Sequence, residues 1–219
     1  INIKNNKTYS AEEIRRANDI ANPALDKIWA MQWLSDCIHK KDEAKIETYN
    51  EYVSTLTQTY EVILVVAGRE ERASIKAVID LFDPKEGYPE IVFMPLNFSI
   101  SDYASVLRRL ENKTVALLAV SIMEESLELR CAYSVAQHFV TSQANKAKIS
   151  PEICVIYSER SRTIKEDAFE NEYTKIEVSH RTDPSYLANT DPVIFILKLM
   201  GADVEAYIRG FYDCVSAPE

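Results

Sequence analysis

Val62-Ile63-Leu64-Val65-Val66-Ala67-Gly68-Arg69-Glu70-Glu71-Arg72-Ala73-Ser74-Ile75-Lys76-Ala77-Val78-Ile79 is the stretch on which the fold turns. Its first five residues are uninterrupted apolar and mostly β-branched, the mark of a strand buried on both faces. A helical pattern follows over about 72–82, so strand and helix lie head to tail. The same alternation repeats downstream. Strands are expected at 91–94, 114–120, 153–157 and 173–178. Helices are expected at 99–110, with Ser99 as cap, and at 124–142, with a short one between the last two strands. Two further helices are expected at 191–200 and 203–214. Strands alternating with helices imply an α/β fold, a three-layer α/β/α sandwich on a five-stranded parallel sheet.

Upstream the pattern is helical. Ser10-Ala11-Glu12-Glu13 is a capping box that opens a helix. That helix is expected to stop near Asn22-Pro23, because a residue before proline disfavours helical geometry. Pro23 then opens a second helix to about 39, with Trp29 and Trp33 sharing a face, and a third covers 42–60. We expect residues 1–60 to form a helical extension packed on an α/β domain of residues 61–219, one structural unit.

Composition narrows the function. The 219 residues are 47% hydrophobic and carry a net charge of −9, which argues for a real core and against a broad nucleic-acid-binding face. No apolar run approaches the roughly 18 residues of a membrane span, and the first residues lack a signal-peptide core. The absent initiator Met suggests a processed chain or a piece of a longer one. Cys37, Cys131, Cys154 and Cys214 are widely spaced with no zinc-type or redox-type pattern, so we expect buried reduced thiols, no metal and a cytoplasmic setting. Only four glycines are present, which leaves few places for backbone to approach a phosphate closely.

Three loops after strands resemble those of glucose-6-phosphate isomerases, particularly the shorter bacterial type. In the first, the family has a G-I-G-G-S loop between a similar strand and helix. Here Ala67, Arg69 and Glu70 stand in place of the glycines and Glu71 in place of the serine. The second, Val120-Ser121-Ile122-Met123-Glu124-Glu125-Ser126-Leu127-Glu128, is similar to S-K-[ST]-[FG]-T-T-x-E. Ser121, Ser126 and Glu128 match, Ile122 replaces the lysine, and Glu125 replaces a threonine. Glu124, Glu125 and Ser126 read as a first-turn arrangement on the helix dipole. The third is the segment from Asp183 to Val193, followed by Gly201-Ala202-Asp203-Val204-Glu205-Ala206-Tyr207, which matches the family well. The family's arginine falls on Ser185, with Arg181 close in sequence.

The resemblance runs from about Ile28 to Cys214 and implies a sugar-isomerase (SIS-type) domain. By analogy, candidate ligand-binding residues are Ser121, Ser126 and Glu128, with Arg69 and Arg72 as a replacement anion site. His180 is the histidine nearest the presumed rim; His39 and His138 read as packing or surface residues. The family's catalytic base and ring-opening groups come from segments beyond this region, and no other catalytic motif or cofactor signature is present. We therefore expect a divergent sugar-isomerase module without isomerase activity on its own, regulatory, assembly-forming or sugar-phosphate-binding. The alternative is an isomerase or carbohydrate-derivative binder of altered specificity. A third reading is an interaction role through the aromatic N-terminal helices. Expected partners are a sugar phosphate or related small molecule and a second copy of the chain, with no nucleic acid and no membrane.

Overall fold

A computed structural model describes residues 10–29, 43–179 and 182–216. The chain divides into two compact units, residues 1–40 and 41–219. In the first, helix α1 spans Ala11–Trp29. Its capping box is formed as expected: Glu13 N–H donates to Ser10 Oγ at 3.2 Å, and Ser10 N–H donates to Glu13 Oε2 at 2.8 Å. The expected break at Pro23 does not occur, and the helix runs through it. A mid-helix proline removes one N–H donor and crowds the carbonyl four residues back, which disfavours a helix without forbidding one. The Trp29–Trp33 pairing, His39, Cys37, His180 and Arg181 lie outside the described residues.

The second unit holds helix α2 (Glu43–Thr59) and then the alternation: β1 (Val62–Ala67), α3 (Arg69–Ile79), β2 (Glu90–Phe93), α4 (Ile100–Leu110), β3 (Val115–Ser121), α5 (Leu127–Ala147), β4 (Ile153–Tyr157), α6 (Thr163–Glu170), β5 (Thr174–Glu177), α7 (Asp191–Leu199) and α8 (Val204–Ser216). All five strands are parallel, in the order β2-β1-β3-β4-β5. The fold class is the one expected from the strand runs.

Alternate side chains of the central strands feed two cores. Ile63, Val65, Leu118, Val120 and Ile156 face one way, against Leu56 of α2, Ile75 of α3 and Phe195 of α7. Leu64, Val66, Leu117, Ala119 and Val155 face the other, against Leu110 of α4, Ala132 and Val140 of α5 and Ile164 of α6. The chain leaves β1 towards β2 and then reverses across β1 to β3. With crossovers of one hand, that reversal puts α3 on one face and α4–α6 on the other. It also opens a crevice between the carboxyl ends of β1 and β3, the topological switch point where doubly wound sheets place ligands.

Two helix starts differ from expectation in ways that matter for this crevice. Helix α3 begins at Arg69, directly after N-cap Gly68, and not near Arg72. Helix α5 begins at Leu127, with Ser126 as N-cap accepting from Leu129 N–H at 3.2 Å. Glu124 and Glu125 therefore precede the helix and do not belong to its first turn.

Candidate functional site

The crevice is built from the loops after β1, β3 and β4. Gly68 ends the first; Ile122–Ser126 form the second; Ser158–Arg162 form the third. Main-chain and side-chain bonds tie the last two together. Ser158 N–H donates to Ser121 O at 3.3 Å, and Ser158 Oγ donates to Ile122 O.

Glu125 sits at the centre of this tie, 8% exposed. Its Oε1 accepts from Ser161 Oγ at 2.8 Å, Ser121 Oγ at 3.0 Å, Arg162 N–H at 2.9 Å and Ile164 N–H at 3.2 Å. Its Oε2 accepts from Thr163 N–H at 3.3 Å. The carboxylate thus closes the amino end of α6, supplying the negative charge that a helix N-terminus favours. Burial pushes its pKa up, but the Ser161 hydroxyl and the amides of Glu125, Arg162 and Ile164 outweigh that and hold it below the usual carboxylate range. Ser121 and Ser161, both buried, stand 2.8 Å apart beside it.

Glu71 fills the other side. It is 4% exposed, in the first turn of α3, and its side chain folds back over Gly68. A Cβ at residue 68 would lie 2.2 Å from Glu71 Oε2, so the carboxylate keeps this place only because residue 68 has no side chain. Here the burial penalty wins: the pKa is raised, although the amides of Glu71, Ile122 and Met123 all favour the charged form. The amides of the loop after β3 therefore face a carboxylate that belongs to the chain itself.

The expected site residues divide. Ser121 and Ser126 lie at the crevice, but Ser121 serves Glu125 and Ser126 caps α5. Glu128 lies in the first turn of α5, its pKa lowered by its own amide, by the Ser126 hydroxyl and by the charge of Arg69. Arg69 is exposed at the same rim. Arg72 turns away: its Nη1 donates to Met94 O at 2.8 Å, and its guanidinium lies 5.4 Å from the Phe93 ring centre. Ser185 is exposed in the turn after β5, where its N–H donates to Asp183 Oδ1 at 2.8 Å. His138 is exposed on α5. Among the described residues no cluster of His, Cys, Asp or Glu could hold a metal ion, and no helix is long and apolar enough to cross a membrane. Cys131 and Cys154 are free thiols, and burial pushes the Cys154 pKa up.

Sequence reasoning missed Ser161 and the loop Ser158-Glu159-Arg160-Ser161-Arg162-Thr163. The signal was available: a hydroxyl- and arginine-rich run directly after an apolar strand lies at the ligand-binding edge by the same rule that selected the other loops.

No protein-family model matches the chain, and no curated protein matches it in sequence. Solved structures do. The hypothetical protein TT0462 from Thermus thermophilus superposes with a TM-score of 0.77 at 14% identity, over 94% of this chain and 51% of its own. A glucose-6-phosphate isomerase from Chlamydia trachomatis superposes with a TM-score of 0.61 at 14% identity, over 78% of this chain and 32% of its own. The Vibrio vulnificus NanR protein, in complex with ManNAc-6P, matches more loosely, with a TM-score of 0.46 at 13% identity over 96% of this chain and 76% of its own. The chain spans about half the length of the Thermus protein and a third of the Chlamydia isomerase. At these identities the likeness is one of fold: the chain shares with the Thermus and Chlamydia structures a three-layer α/β sandwich, and here its own carboxylates are built into the crevice at the strand ends.

Proposed function

We propose that the chain is a divergent sugar-isomerase-like module that does not turn over sugar phosphates by itself and acts as a regulatory or assembly domain. The observation that carries this reading is the pair of internal carboxylates. Glu125 takes the amides at the start of α6 together with both buried serines, and Glu71 lies against the amides of Ile122 and Met123. A phosphate held at a strand-end crevice draws on such amides and on nearby cations. Here an incoming dianion would meet two carboxylates already at the donors. The family's lysine position is the buried Ile122.

The test is twofold. Fructose-6-phosphate is offered to the pure chain in a coupled assay for glucose-6-phosphate. Melting is then followed with millimolar glucose-6-phosphate, fructose-6-phosphate, 6-phosphogluconate and inorganic phosphate. No turnover and no shift are expected. A ligand at 100 times its dissociation constant would add about 2.7 kcal/mol, roughly 5–10 °C for a chain of this size. A shift of that size, or measurable turnover, would overturn the reading.

A further inference from the structure

At the opposite end of the sheet, beneath the amino ends of β1, β3 and β4, lies a cavity of about 740 Å³. That is within the range of small-molecule sites. Its lining is mixed: buried Val115 and Val140, half-buried Tyr60 and Phe139, and exposed Ile149 stand among polar residues such as Thr114, Gln143 and Ser150. Set in this wall, one residue before β4, is Glu152.

Glu152 is a half-buried carboxylate. Its Oε1 accepts from the Tyr52 hydroxyl at 2.5 Å, and no ion pair reaches it among the described residues. Its charge is felt nearby: after burial, it raises the pKa of Tyr60 in the lining, and it adds to the burial that raises Cys154 in the core behind. Three helices also end at this cavity, α2 at Thr59, α4 at Leu110 and α5 at Ala147. Helix carboxyl ends carry the negative pole of the dipole, although several of the end carbonyls are themselves taken: Leu110 O accepts from Lys113 N–H and from Gln143 Nε2, both at 3.1 Å, and Ala144 O from Ile149 N–H at 3.0 Å. Of the two lysines on the rim, Lys113 is held by Glu90 at 2.8 Å, and Lys146 stands exposed on the last turn of α5. The lining thus sets a carboxylate without an ion pair among the described residues beside apolar and aromatic surface, a combination that suits a cation with an apolar body.

We propose that this cavity binds a small organic cation, its ammonium group on the Glu152 carboxylate and its apolar body against Phe139, Tyr60 and Ile149. The aromatic rings add attraction for a cation placed near their faces. The site lies at the other end of the sheet from the crevice, so it stands or falls independently of the function proposed above.

The probe is 2-phenylethylamine, with phenylacetate as a ligand of the same ring and opposite charge. Each is titrated into the full chain and followed by amide chemical shifts. The amine is expected to saturate at a dissociation constant of roughly millimolar or tighter, with shifts gathered at Tyr60, Phe139, Ile149 and Glu152. Phenylacetate should bind about tenfold more weakly or not at all, and Glu152→Gln should weaken the amine about tenfold or more. Ile149 is 54% exposed, so Ile149→Lys tests the site with little risk to the fold and should weaken the amine by placing a competing cation in the wall. No saturable shift, an equal response to phenylacetate, or amine binding untouched by both substitutions would each overturn the proposal.

Discussion

Glu71 and Glu125 are two buried carboxylates on two sides of one crevice, and their surroundings act on them in opposite directions. Glu125 has two serine hydroxyls and three helix-end amides within hydrogen-bonding distance, and its charged form is favoured. Glu71 is buried to a similar degree, and its charged form is disfavoured although three amides act in its favour. Burial sets the penalty, and the count and aim of donors decide whether it is overcome. The loop after β3 is thus locked to the loop after β4 by a satisfied charge. Against the loop after β1 it meets a charge whose burial is not fully offset.

The largest effect should come from the satisfied side. Glu125→Ala leaves Ser121, Ser161 and the first amides of α6 without their acceptor. It should cost about 3 kcal/mol of stability at neutral pH, read from the urea midpoint. Because the folded pKa is depressed, this contribution is present above the ordinary carboxylate pKa and fades as pH falls through the folded value. The gap between variant and wild type should therefore narrow in acid. A loss under about half a kcal/mol would place the lock elsewhere.

Gly68→Ala should come next, at about 1–2 kcal/mol, because its Cβ would stand 2.2 Å from Glu71 Oε2 and force the carboxylate out. In the Gly68→Ala/Glu71→Ala double variant most of the glycine's cost should vanish. Strict additivity in that cycle would mean that Glu71 is not what the new methyl meets.

The smallest effect is also the sharpest in sign. Glu71 has a raised folded pKa, so its contribution to stability is fully present below the unfolded value of about 4.3 and is lost as pH rises through the folded one. Glu71→Gln should match wild type near pH 4 and be more stable at neutral pH, by under about 1 kcal/mol. A variant destabilised at neutral pH would make the two glutamates alike and remove the contrast.

The strand runs, the capping box at Ser10 and the cap at Ser99 were legible because each depends on residues close in the chain. So was the edge of the sheet at which to look. Less legible was what the loops do there. Glu125 reads as a first-turn acid of its own helix, but that helix starts later and the side chain turns to another, which begins at Thr163. Arg72 reads as a candidate anion ligand, but Met94 O and the Phe93 ring, neighbours only once β2 pairs with β1, take it first.

By itself, then, the sequence determined a parallel sheet covered on both faces, since strands buried on both sides must be apolar throughout and the helices between them must carry one apolar stripe. It also determined that glycine and lysine are scarce at the loops where a phosphate would be held. Only the tertiary structure decided which amides meet which carboxylate, because those partners come from different strand ends: β1 beside β3 for Glu71, and β3 beside β4 for Glu125. A charge's worth depends on the donors gathered around it, and that gathering is a property of the packed fold.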